Sequence, residues 1–91
     1  MGLAGGFNPV SSTDIKVMDM ARRAVDHMAA QDGAAVKFKM VRVASAEIQI
    51  VAGANYQLKI DITKDDRPAK MSATVYLDLR GNTQVKEARL L

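Results

Sequence analysis

The sequence predicts an α+β domain in which one long helix packs across a curved antiparallel β-sheet. Three observations predict it. Apolar residues recur at helical spacing in one stretch, between Asp14 and Gly33; from Val36 onward they alternate with polar residues at period two; and turn-rich segments separate the alternating runs as in hairpins. A chain of 91 residues has room for one compact domain, so residues 1–91 are read as a single unit.

Residues 1–11 contain three glycines, a proline and no hydrophobic period, which predicts an extended, flexible N-terminal arm. Ser11 to Asp14 fits the capping pattern S/T-x-x-D/E, placing a helix start there. Val17, Ala21, Ala24, Val25 and Met28 then form one apolar stripe. Asp19 precedes Arg22 and Arg23 by three and four residues, and Arg22 precedes Asp26 by four, pairs that suit a solvated opposite face. Gly33 in "QDGAA" ends the helix.

The strands follow. "VKFKM" sets Val36, Phe38 and Met40 against Lys37 and Lys39, and "YQLKIDI" sets Tyr56, Leu58, Ile60 and Ile62 against Gln57, Lys59 and Asp61. "MSATVYLDL" puts Met71, Ala73, Val75, Leu77 and Leu79 on one face, and a last strand covers Gln84 to Leu90 with poorer alternation. Between Met40 and Val43 the phase slips by one residue, which predicts a β-bulge. The expected sheet is a four-stranded meander wrapped on the helical stripe.

Composition narrows the function. There is no cysteine, hence no disulfide, thiolate ligand or cysteine nucleophile. No run suits a membrane span, and "MGLAGGFNPV" is too polar for the apolar core of a secretory leader. The expected location is cytoplasmic if this is a whole precursor, and secreted or periplasmic if a leader was removed. The net charge of +3 comes from dispersed basic residues with few aromatics, which argues against a nucleic-acid partner. His27, the single histidine, lies at the edge of the apolar stripe and has no nucleophile or acid at a suggestive spacing. Asp65 and Asp66 in "KDDRP" read as a turn, and "GLAGG" lacks the flanking strand and Lys-Ser/Thr of a phosphate loop. The sequence therefore argues against an enzyme and implies no cofactor or metal.

One stretch stands out. "EIQIVAGANYQLKI" is a hairpin whose tip, "QIVAG", carries no charge, although a chain reversal normally exposes polar side chains. These residues, with "LAGG" near the start and the helix stretch "MARRAVDHM", give the chain its resemblance to the cystatins, inhibitors of papain-like cysteine proteases; the absence of cysteine makes it similar to the stefin or plant branches. The family signature Q-x-V-x-G falls on Gln49, Val51 and Gly53, and the glycine that ends the inhibitory arm falls on Gly5, beside Gly6.

The resemblance implies a reversible, competitive inhibitor that blocks a protease cleft without cleavage. The arm (Leu3, Ala4, Gly5, Gly6), the first hairpin (Gln49, Ile50, Val51, Ala52, Gly53) and a second hairpin (Leu79, Arg80) would form the wedge. Several residues depart from the family pattern. Leu79 and Arg80 stand where many cystatins carry Pro-Trp, Ala4 stands where a larger apolar residue is frequent, Arg23 replaces an aromatic of the plant helix signature, and no Asn follows the helix to mark a legumain site. The alternative implied by those departures is a non-inhibitory binding or structural module on the same fold. The resemblance also implies domain-swapped dimerisation, driven by strain if β-branched Val51 is held in an unfavourable backbone conformation.

Overall fold

The computed structural model describes residues 6–33 and 36–91. Its elements are β1 (Asn8–Pro9), α1 (Ile15–Asp32), β2 (Phe38–Val51), β3 (Gly53–Lys64), β4 (Arg67–Leu77) and β5 (Thr83–Leu90). The strands form one antiparallel sheet in chain order, and α1 lies across β2 to β5. The expected helix on an antiparallel meander is therefore present, with one short strand more than the sequence reading gave.

That extra strand belongs to the segment read as an arm. Asn8 pairs with Ile48 and Pro9 with Glu47, and the Val10 N–H donates to the Ala46 carbonyl at 3.0 Å. A proline fits here because an edge strand does not need every N–H. The arm is thus anchored at its C-terminal end.

Asp14, and not Ser11, caps the helix. Its Oδ1 accepts from the N–H groups of Lys16 at 2.9 Å and Val17 at 3.4 Å, two of the donors that a helix start leaves unpaired. Ser11 instead closes the preceding turn through its carbonyl and hydroxyl. At the other end Gly33, with φ of 81°, donates its N–H to the Ala29 carbonyl and stops the helix. All five stripe residues are buried, and Met20 joins them. Ala21 and Ala24 are fully buried, so the helix backbone lies close to the sheet. His27, expected at the border of the stripe, is exposed.

The sheet supplies the other half of the core through Leu58, Ile60, Ile62, Met71, Ala73 and Val75, each within about 1% of complete burial. The residues between them face away from the helix, following the period of two. Register shifts in β2 fall between Met40 and Arg42, as the phase slip predicts, and again between Val43 and Ser45. Val36 precedes the first of these strands, which begins at Phe38.

Asp65 and Asp66 both have positive φ, 51° and 67°, and link β3 to β4 in a two-residue turn whose twist suits a tight hairpin. Asp65 also accepts from the Lys37 N–H at 3.0 Å, so the carboxylate has a structural task. Pro68 is accommodated because β5 ends opposite Met71, with the Leu91 N–H reaching Lys70, leaving β4 one strand neighbour at Pro68.

Candidate hairpin edge

The meander brings two turns to the same end of the sheet. Val51 faces Gly53 across the first, with Ala52 at the apex, so Gln49 and Ile50 lie within β2 and the tip itself is three residues. The second turn runs from Asp78 to Asn82. It abuts the first because Ala54 pairs with Leu77.

Contact between the turns is close. Gly53 has φ of 102°, a conformation that L side chains rarely adopt. A Cβ placed on it would lie 2.9 Å from the Tyr76 hydroxyl and 3.1 Å from Asp78 Cα, and nearer still to the Leu77 carbonyl oxygen. Glycine is required here twice over, by dihedral and by space. The Tyr76 hydroxyl donates to the Ala52 carbonyl and so ties the apex of the first turn to β4. The Lys86 ammonium lies 5.7 Å from the centroid of the same ring.

Gln49 braces the hairpin from within. Its Oε1 accepts from Asn55 Nδ2 at 3.0 Å across a directly paired position, on a partly buried face. The Oδ1 of Asn55 is buried without a partner. Neither the Asn55 pairing nor the Tyr76 latch was read from the sequence; the register after the tip would have indicated the first.

The second turn is held by Asp78. Its Oδ1 accepts from the Asn82 N–H at 2.9 Å and the Arg80 N–H at 2.8 Å, and those backbone donors hold its carboxyl below the ordinary carboxylate value. This turn projects Leu79 and Arg80 outward. Leu79 is 82% exposed, so it leaves the inward face to which simple alternation would assign it. Ile50 is 63% exposed and Val51 is 40% exposed. Three aliphatic side chains thus stand in solvent at one end of the sheet.

Gly6 is exposed, with nothing near it, and Phe7 is 37% exposed. Since Asn8 and Pro9 pair antiparallel with Ile48 and Glu47, Phe7 and Gly6 lie on the side of this pairing nearer the first turn. Leu3, Ala4 and Gly5 lie outside the described residues. One expectation is corrected: Val51 has no positive φ, because the left-handed position at the tip falls on Gly53, where it costs little. Left-handed strain at Val51 is absent.

Comparison with known proteins agrees with this architecture. A family model of the cystatin domain matches residues 5–89. A cystatin of Notechis scutatus scutatus is 37% identical over 62 residues, 68% of this chain and 44% of that protein, and one of Pseudechis porphyriacus is 36% identical over the same length. The chain thus spans less than half the length of these curated relatives. Among solved structures, the salivary cystatin of the soft tick Ornithodoros moubata has a TM-score of 0.83 at 21% identity, over 98% of this chain and 99% of that one. Dimeric human cystatin F also has a TM-score of 0.83, at 20% identity, over 99% of this chain and 89% of that one. At those identities the likeness concerns the fold.

Proposed function

The chain belongs to the cystatin family, and from that premise we propose that it is a reversible, competitive inhibitor of papain-like cysteine proteases and performs no catalysis itself. The observation that carries the reading is the edge where the Val51–Gly53 tip and the Asp78–Asn82 turn meet, with Ile50, Val51 and Leu79 exposed beside each other's hairpins. The arm residues Leu3, Ala4, Gly5 and Gly6 belong to the proposed wedge as its third part.

Three exposed aliphatic groups favour burial in a partner's cleft. Each contributes on the order of 1–2 kcal/mol when its remaining surface leaves water. The tied apex favours it too, because a tip already fixed by Tyr76 and Gly53 loses little conformational freedom on docking. Arg80 lies beside Leu79 and meets polar groups at the rim. The wedge blocks access to the catalytic centre and presents no peptide bond in register for attack.

The test is inhibition of active-site-counted papain and a cathepsin-L-like protease, with substrate varied to distinguish competition from other modes. Nanomolar to micromolar inhibition that reverses on dilution is the expected result. Full protease activity in the presence of micromolar protein would instead favour a non-inhibitory binding module, a reading supported by the absence of tryptophan from the second turn.

A domain-swapped homodimer belongs to the same proposal. Human cystatin F is dimeric in its crystal structure. In this chain there is no cysteine to lock the hairpin, and the β2–β3 pairs could re-form between two copies.

A further inference from the structure

The sheet face turned away from the helix is basic at one end and neutral to acidic at the other. Its cross-strand rows follow from the register. At the hairpin edge the row is Gln49, Asn55, Tyr76 and Gln84, and the next is Glu47, Gln57, Thr74 and Glu87. Beyond these the sign reverses. One row holds Lys59 and Arg89, a second Arg42 and Lys70, and a third Lys39, all five exposed. The only carboxylate in those three rows is Asp61, already paired with Arg42 at 2.8 Å. Among the described residues Lys39, Lys59, Lys70 and Arg89 have no ion-pair partner.

We propose that this distal part of the outer sheet face docks a linear sulfated polysaccharide. Strands stand about 4.8 Å apart and alternate residues about 6.8 Å apart along a strand, which puts neighbouring cations of the patch roughly 8–10 Å from one another. That is about one Debye length in physiological salt, so a polyanion crossing the strands is attracted by several of them together. The patch lies on a packed sheet and not on a loop, so the backbone positions that carry its charges are fixed before a ligand arrives.

The surroundings select among polyanions. No aromatic side chain lies in these three rows, so a single-stranded nucleic acid would find no base-stacking platform. Val41 and Leu91 are exposed aliphatics at opposite margins, on β2 and just after β5, separated by three strand spacings of about 4.8 Å. They do not form one apolar wedge for a bilayer. A flexible glycan bearing sulfates follows a face that bends at the two β2 bulges, where a flat membrane meets only part of it.

The experiment is chromatography of the full chain on immobilised heparin, with affinity in solution measured as salt is raised. Lys59→Glu combined with Arg89→Glu should weaken binding by about tenfold or more, and Lys59→Gln with Arg89→Gln by a smaller factor in the same direction. The helix control Arg22→Glu with Arg23→Glu makes the same change in net charge and should alter affinity less than about twofold. Equal losses in the sheet and helix variants would overturn the proposal, as would absence of heparin binding at low salt. Tighter binding to single-stranded DNA or to phosphatidylserine vesicles than to heparin would also overturn it. Papain inhibition, read separately on the same proteins, stays unchanged because the patch is remote from the hairpin edge, so this proposal and the inhibitor reading fail independently.

Discussion

Tyr76 donates its hydroxyl to the carbonyl of Ala52, joining the end of β4 to the apex of the first turn. The residues are 24 apart in the chain. Replacing Tyr76 with Phe keeps the ring and removes the bond, which is worth about 1 kcal/mol. The expected outcome is a roughly fivefold weaker inhibition constant, a melting temperature lowered by about 4–8 °C, and faster amide exchange at Ala52 and Gly53. Unchanged exchange at the tip would show that the hydroxyl does not hold it.

Gly53→Ala tests the space between the turns. A methyl group at positive φ meets the Leu77 carbonyl and the Tyr76 hydroxyl, so one turn must move. A loss of about 1–3 kcal/mol is expected, measurable by urea unfolding, together with weaker inhibition. A variant as stable as the parent would mean that the tip relaxes freely.

Hinge strain was expected at Val51, and its absence changes what a swap experiment should show. Val51→Gly removes a β-branched residue from the end of β2 without relieving any left-handed strain, so it should not shift a dimer toward monomer by that route. Size-exclusion chromatography after mild heating, with papain assays on each fraction, measures this. Strong monomer enrichment in V51G would restore the strain mechanism.

Tyr56 predicts an alkaline limit to stability. Burial, and secondarily the Asp14 carboxylate, push its phenol above the ordinary value of 10.0. Below that value the phenol is neutral in both states and its contribution is complete. Above it the unfolded phenol ionises first, and stability falls until the folded phenol also ionises. Urea unfolding at about pH 9 and about pH 11 should show a smaller alkaline loss in Tyr56→Phe than in the parent. Identical losses would exclude Tyr56 as the source.

The sequence was informative where pattern is local. The helical stripe was legible because one face of α1 meets the sheet, and the first bulge because Met40 and Val43 are both apolar enough to mark the phase. Ala44, Ser45 and Ala46 are small and give little contrast, so the second shift was hidden. Ser11 and Asp14 are both able caps, and the choice between them depends on where the turn closes. The Q-x-V-x-G spacing located the first tip, but the reason for its glycine lies 24 residues away at Leu77, a distance that no local pattern spans. Assigning strain to Val51 failed for a related cause: residue types show which position tolerates positive φ, and the fold decides which one adopts it.

The two shifts in β2 also bear on self-association of another kind. Among the described residues, β1 covers the outer side of β2 only near Ala46 to Ile48, which leaves the Phe38 to Ser45 stretch as an open margin of the sheet. A straight margin of that length would offer a template for stacking copies into fibrils. Two extra residues within eight break the even spacing of its free N–H and C=O groups and twist it away from a flat partner, so the bends that curve the sheet also guard its unpaired side against amyloid growth.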